Sequence, residues 1–350
     1  MVNRQYTPIL KASSYYLEDV LELRLDERAK NGQISFILLN QPPICDAHCR
    51  RCFMPNNRRQ LGKNEALTLD ESKQILYNAR KNGALCLEIS GEGEPTLNKN
   101  LPELIRYANN LEYLTTLITN GHSLTEEQIK IYNQLNVTLV FSHYSLNKKK
   151  YELDNKTPGS FDKKMKNLEI ASRIFKESIE HINKFKVYRL AVHTTLQKDN
   201  IQDALDLKEY CNNNKIFFSI APLAQTGCAI NNPNMKLEEI VNFFGKEIPL
   251  SQVPNLLGDN SIIHSHSSAK ELGREVCGTC FYGLNIGYEG ALLFDAHSGY
   301  EIGNKLGNIK TISFQEIMKK RRKISKLLFE NVNNFCPVRD SKWDEFIKKF

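Results

Sequence analysis

The sequence has no apolar run long enough to cross a bilayer, which excludes an ordinary helical membrane protein. Its first residues, Met1 to Tyr6, lead into a mixed polar stretch and lack the apolar core of a secretory signal peptide. The expected compartment is the cytoplasm. There are nine cysteines, an odd number, and they are not spread as a disulfide framework. In a reducing compartment such thiols serve as metal ligands, catalytic groups or core fillers. No internal repeat and no low-complexity tract is present, and no recognisable RNA-binding module.

What is there is an ordinary globular composition over 350 residues, 41% hydrophobic and 25% charged. That length fits one large α/β domain plus an appendage. The net charge of +7 is compatible with an anionic substrate, a nucleic acid or a solvated surface.

Residues 1–33 read as a polar, partly helical lead-in. An apolar run over 35–39 then has the profile of a strand buried on both faces. Thr68 and Glu71 have capping-box spacing and open a helix that Gly83 stops. The rhythm repeats: strands are expected over 84–89, 114–118, 137–141, 187–196 and 217–220. Helices are expected near 101–109, 163–176 and 202–212, with a further one opened at Ser123–Glu126 and running to about Leu135. Alternating strands and helices imply a parallel sheet with right-handed crossovers. Six such units make a doubly wound sheet or an incomplete barrel, and in both the function sits at the C-terminal ends of the strands. Residues 228–275 read as a connection to a smaller C-terminal α+β unit over 276–350, with strands over 284–288 and 291–294 and a helix opening at Ser313.

Right after the first strand comes Cys45-Asp46-Ala47-His48-Cys49-Arg50-Arg51-Cys52-Phe53. Three thiolates within eight residues can converge on one metal centre. A closed zinc site wants four protein ligands. A [4Fe–4S] cube held by three cysteines leaves one iron open for a small molecule. The alternatives are a zinc knuckle completed by His48, or reactive surface thiols.

Cys-x₃-Cys-x₂-Cys followed by an aromatic residue, in the loop after the first strand of a βα repeat, resembles the signature of the radical S-adenosylmethionine (SAM) superfamily. The likeness continues at successive strand ends. Ser90-Gly91-Glu92-Gly93-Glu94-Pro95 is similar to the family's Gly-Gly-Glu-Pro motif, with Glu92 standing where its first glycine falls. Thr119-Asn120-Gly121, Ser142 with Gly159 to Asp162 beyond it, and Lys198-Asp199-Asn200 match further family segments. The resemblance covers residues 34–227 and implies a partial (β/α)6 TIM-like barrel. It implies that Cys45, Cys49 and Cys52 hold a [4Fe–4S] cluster whose open iron chelates SAM, and that Phe53, Gly93, Glu94, Asn120 and Ser142 line the SAM pocket. An external one-electron donor, flavodoxin- or ferredoxin-like, starts the chemistry: a 5′-deoxyadenosyl radical that removes a hydrogen atom from the substrate.

Cys277-Gly278-Thr279-Cys280 opens the C-terminal unit and Cys336 lies near its end. This region resembles the SPASM and twitch extensions that carry auxiliary clusters, although Asp295 stands where their pattern has a cysteine. One auxiliary [4Fe–4S] cluster on Cys277, Cys280 and Cys336 is implied, with Asp295 or an open iron completing it; a zinc site or free cysteines are the alternatives. The other readings are modest. Cys86 and Cys211 read as core fillers, and Cys228 as structural filler with a route to the active site as its other role. His193 is a barrel-facing or hydrogen-bonded core histidine. Lys148 to Lys150 and Lys319 to Lys323 read as solvated faces. The expected reaction oxidises or rearranges a small molecule or modifies a peptide. The residues ahead of the barrel are too few for the winged-helix leader-recognition domain of many peptide-modifying relatives, which tilts the expectation toward a small molecule, or a peptide bound without such a domain. The competing functions are a tRNA-modifying relative and a non-catalytic zinc-binding regulator.

Overall fold

A computed structural model describes residues 6–7, 21–54, 66–176, 178–182, 185–223, 227–232, 235, 240–243, 246–249, 261–263, 267–269, 274–276, 281–293 and 307–331. Cys277, Cys280, Asp295 and Cys336 lie outside the described residues.

The described elements follow in chain order. The lead-in carries β1 (Tyr6–Thr7) and α1 (Leu25–Lys30). The repeating part runs β2 (Phe36–Gln41), α2 (Leu69–Lys81), β3 (Cys86–Gly91), α3 (Leu101–Asn110), β4 (Leu114–Thr119), α4 (Glu126–Gln134) and β5 (Thr138–Ser142). It continues through α5 (Lys148–Asn155), α6 (Ser160–Phe175), β6 (Glu180–Ile182), β7 (Phe185–Val187), β8 (Leu190–Leu196), α7 (Ile201–Asn213) and β9 (Phe217–Pro222). Then come β10 (Ile240–Phe243), β11 (Lys246–Pro249), β12 (Ser261–Ile263), β13 (Ser267–Ala269), β14 (Arg274–Val276), β15 (Gly283–Ile286), β16 (Leu292–Leu293) and α8 (Phe314–Asn331).

The main sheet has the order β12-β9-β8-β5-β4-β3-β2-β15-β16. From β2 to β9 the neighbours follow chain order and pair parallel. A doubly wound sheet reverses its order at a switch point; this one winds in a single direction, so the six expected units form the partial barrel. Strand interiors are apolar on both faces, as in Phe36, Ile37, Leu38 and Leu39, all buried. One continuous core joins them to the inner faces of α2, α3, α4, α6 and α7 through Leu76, Ile105, Ile129, Leu168 and Leu207.

The sheet grows at both ends beyond six strands. β12, within the stretch read as a connection, adds parallel to β9. β15, expected inside a separate unit, adds parallel to β2, and β16 turns back antiparallel on it. Covering the β2 edge satisfies backbone groups that would otherwise be exposed. α8 locks this addition: Arg321 is buried and its Nε donates to the Gly283 carbonyl at 2.8 Å. The run Lys319 to Lys323 is therefore not solvated throughout.

Two local expectations are corrected. The strand over 187–196 divides at Tyr188 and Arg189. Val187 belongs to β7, which pairs with β1 and β6 in a separate small sheet. Arg189 is buried and turned to the end of α4, donating to the Asn133 carbonyl at 3.1 Å and to its Oδ1 at 3.0 Å. The cap of α4 is Thr125 with Gln128, not Ser123 with Glu126. Both pairs have the required spacing, but Ser123 Oγ donates to Asp46 Oδ2 instead. The Thr68–Glu71 box is present as expected and Gly83 follows at φ +101°.

Candidate metal and cofactor site

The candidate residues gather at the C-terminal ends of β2 to β5, where a barrel of this type places its function. The three cysteines lie on the loop leaving β2, partly exposed and in no disulfide. The neighbouring strand ends hold that loop. The Glu94 backbone N–H donates to the Ile44 carbonyl at 2.7 Å. Gly93 is needed for this approach: a Cβ there would collide with the carbonyl oxygens of Pro42 and Ile44. Asp46 accepts from Asn120 Nδ2 at 2.6 Å and from Ser123, tying the loop to the end of β4. Asn120 Nδ2 also lies 3.9 Å from Cys45 Sγ.

On its other side the loop is latched to the end of α5. The backbone N–H groups of His48 and Arg50 donate to the carbonyls of Asn155 (3.0 Å) and Asp154 (2.9 Å). Cys49 Sγ donates to Asn155 Oδ1 at 2.9 Å. Arg51, between the second and third cysteines, forms a buried ion pair with Asp154 and lies 3.5 Å over the Tyr144 ring. Burial opposes the Arg51 charge, but Asp154 beside it outweighs that and holds the guanidinium firmly protonated. Below the third cysteine, Cys228 donates from its backbone N–H to Cys52 O at 2.9 Å and from its thiol to Met54 O at 3.0 Å. Gly227 allows this: at φ +54°, a Cβ would strike the Phe53 carbonyl. Cys228 is thus a strap on the loop rather than idle filler. Phe53 follows the third cysteine, half-buried.

Glu94 is buried and accepts four hydrogen bonds: Thr96 N–H (3.0 Å), Thr96 Oγ1 (2.6 Å), Thr119 Oγ1 (2.6 Å) and Asn120 N–H (2.7 Å). Burial pushes its carboxyl up, and these donors pull it back. Three of the four fall on Oε1, so Oε2 keeps acceptor capacity for a ligand's ammonium group. Ser142 ends β5, and its carbonyl accepts from the fully buried Lys164 amine, which also lies 4.6 Å from the Tyr151 ring centre. Burial drives the Lys164 pKa well down, with Arg51 adding to the effect. His122 bonds Tyr151 Oη at 2.8 Å, and burial brings its pKa to about 3.

Glu92, the departure from the glycine pattern, has a structural reason. Its side chain reaches across to the turn after β15, where the Tyr288 N–H donates to Oε1 at 3.3 Å. Oε2 has no partner, and burial followed by repulsion from Glu289 raises the pKa to about 9. Asn200 closes its own turn, accepting from the Gln197 N–H and donating to the Thr195 carbonyl. Cys86 and Cys211 are buried in the core. His193 is hydrogen-bonded to Ser219 at 2.9 Å. Sequence reasoning missed Asp46, Arg51, Asp154, Asn155 and Lys164. Only Asp46 and Arg51, lying within the cysteine motif, carried a signal.

Among the described residues no three His, Cys, Asp or Glu side chains converge on a single-ion site. A cube whose thiolates go to different irons needs wider spacing than one ion does. The donors offered are soft thiols, suited to iron–sulfur ligation. Burial raises the Cys49 thiol, and the neighbouring Arg51 guanidinium opposes that rise. The residues fit such a cluster.

Residues 39–211 match the Radical SAM superfamily. The chain carries a radical SAM domain. A PqqA peptide cyclase from Bradyrhizobium diazoefficiens is 37% identical over 93 residues, 27% of this chain and 24% of that protein. The match thus spans about a quarter of the curated relative. SuiB of Streptococcus suis, solved bound to the precursor peptide SuiA, aligns over 92% of this chain and 67% of its own, with TM-score 0.56 and 16% identity. The enzyme anSMEcpe, solved with bound AdoMet, aligns over 83% of each chain, with TM-score 0.53 and 16% identity. At that identity the likeness is one of fold, an α/β radical SAM fold. The cofactors of a radical SAM domain are a [4Fe–4S] cluster and SAM.

Among the described residues no helix is long and apolar enough to cross a membrane.

Proposed function

We propose that the chain reductively cleaves SAM and abstracts a hydrogen atom from a peptide, modifying it within a biosynthetic pathway. The observation that carries this reading is the joining of the cysteine loop, Gly93–Glu94 and Asn120 into one hydrogen-bonded unit at the barrel's C-terminal edge. A [4Fe–4S] cluster held by Cys45, Cys49 and Cys52 would supply the open iron that chelates SAM and the electron that breaks its S–C5′ bond. Glu94, through the free capacity of Oε2, would accept from the SAM ammonium group. Phe53 and Asn120, with Ser142 at the end of β5, would line the same pocket. The strapped loop holds these groups in place.

The peptide is favoured over a small molecule because the curated relative and both solved relatives are named for, or were solved with, peptides. Cys277, Cys280 and Cys336, with Asp295 or an open iron, would hold an auxiliary [4Fe–4S] cluster that accepts an electron from the substrate radical or binds the substrate. Acceptance of that electron would make the overall change a net oxidation of the substrate. The first electron comes from an external flavodoxin- or ferredoxin-like donor.

The test uses deuterium. Extract from cells grown in deuterated medium is divided by size and supplied with SAM and dithionite. Deuterium in 5′-deoxyadenosine from the large, protease-sensitive fraction supports a peptide. Deuterium from the small fraction alone returns the substrate to the small molecules.

A further inference from the structure

The strands β8 and β9 alternate between two faces. Leu190, Val192 and Leu196 of β8, with Ile216, Phe218 and Ile220 at β9, pack into the core shared with the helices. Ala191 and Phe217 face the other way, into the barrel. With Val140 of β5, and with Val187 and Tyr188, they make a second buried cluster, against which Leu21, Leu114 and Ile118 pack. This cluster fills the N-terminal half of the barrel with apolar side chains and forms its floor.

Two residues further along the chain from the floor, the lining turns polar. Asn120 follows Ile118, Ser142 follows Val140, His193 follows Ala191 and Ser219 follows Phe217. Strand register sets Ser142 beside His193, and His193 beside Ser219. His193 and Ser142 are partly exposed, whereas Ser219 is fully buried. The 2.9 Å hydrogen bond between Ser219 Oγ and His193 Nδ1 fixes the orientation of the ring. Asn120 and Ser142 are already assigned to the SAM pocket. His193 stands at the same depth on the adjoining strand.

A peptide drawn into the barrel loses the water bonded to its amide groups, and an apolar floor gives nothing back. A hydrogen-bonding side chain at that depth supplies the missing partner. We propose that His193 contacts the substrate peptide just above the floor. The ring edge away from Ser219 hydrogen-bonds the backbone amide beside the carbon that loses its hydrogen, and Ser219 is its positioning residue. This rests on the radical SAM reading with a peptide substrate, and names a substrate contact within it. His193 makes and breaks no covalent bond; it holds the amide so that one carbon faces the radical.

The test measures coupling. The reconstituted full chain receives SAM, dithionite and the large, protease-sensitive fraction of deuterated extract. The share of 5′-deoxyadenosine that carries deuterium is read by mass spectrometry. That share is a ratio, so poorer folding or cluster loading in a variant does not move it. His193→Asn keeps an amide near the place of Nδ1 for Ser219 and removes the far edge of the ring. The labelled share is expected to fall about fivefold or more, the scale of one lost hydrogen bond. His193→Gln, whose amide reaches the far edge, is expected to recover part of it. Ser219→Ala is expected to lower the share in the unaltered chain, and not further in His193→Ala.

Equilibrium dialysis gives a readout apart from turnover: SAM binding by His193→Asn is expected to stay within about twofold of the unaltered protein. A loss of SAM binding as large as the loss of label would assign His193 to SAM and overturn the proposal. An equal labelled share in His193→Asn and the unaltered protein also overturns it, and leaves the radical SAM reading intact. A further fall when Ser219→Ala is added to His193→Ala overturns the positioning role of Ser219. No 5′-deoxyadenosine from the unaltered protein overturns the radical SAM reading, and unlabelled 5′-deoxyadenosine overturns the peptide substrate; the His193 contact falls with either.

Discussion

Glu92 offers a quantitative test, because its pKa is about 9 in the folded chain against an ordinary 4.5. The folded state binds a proton that the unfolded state has released, so stability falls as pH rises from 4.5 towards 9. Below pH 4.5 both states are protonated and the group costs nothing. At about 1.4 kcal/mol per pH unit, the loss at pH 7 is about 3 kcal/mol. For a chain of this size that is about 4 °C in Tm. Glu92→Gln removes the titration and keeps an acceptor for the Tyr288 N–H. The assay is unfolding of the anaerobic protein, followed thermally from pH 5 to pH 9. The variant is expected to match the unaltered chain near pH 5 and to exceed it increasingly above pH 6. Parallel curves for the two proteins would refute the reasoning, because they would place the Glu92 pKa near its ordinary value.

Other outcomes follow from the site. Arg51→Met leaves Asp154 buried without its cation, costing about 3 kcal/mol or more in a denaturant titration. Thr119→Val removes one of the donors to Glu94 and costs about 1–2 kcal/mol by the same assay, with weaker SAM binding by equilibrium dialysis. Gly93→Ala forces the cysteine loop away from β3, so iron retained after reconstitution is expected to drop together with SAM binding.

The fold was legible where one pattern had no rival. The apolar runs of β2 to β5, the Thr68 box and the Gly83 stop admit one assignment each. Where two signals competed, the tertiary contact decided. Ser123 and Thr125 both have cap spacing, and Asp46, seventy-seven residues away, takes the serine. Val187 continues the apolar run of β8, yet Arg189 turns aside to close α4. That β15 joins β2 could not be read locally, because strand pairing over such a separation leaves no periodic trace.

The candidate site divides the same way. Thiol spacing announced the cysteine loop, and the resemblance of the strand-end segments to the family's motifs pointed to Gly93, Glu94 and Asn120. The groups that hold them, Asp46, Arg51, Asp154, Asn155 and Lys164, are ordinary polar residues in sequence. Burial and pairing give them their meaning, and those arise only in the folded chain.

The central claim is tested most directly by anaerobic reconstitution, with iron and sulfide counted and 5′-deoxyadenosine measured after SAM and dithionite are added. The account predicts about four irons for the first cluster, more if the C-terminal cysteines hold a second, and product that disappears in Cys49→Ala. Zinc in place of iron, with no 5′-deoxyadenosine under any reductant, would contradict it.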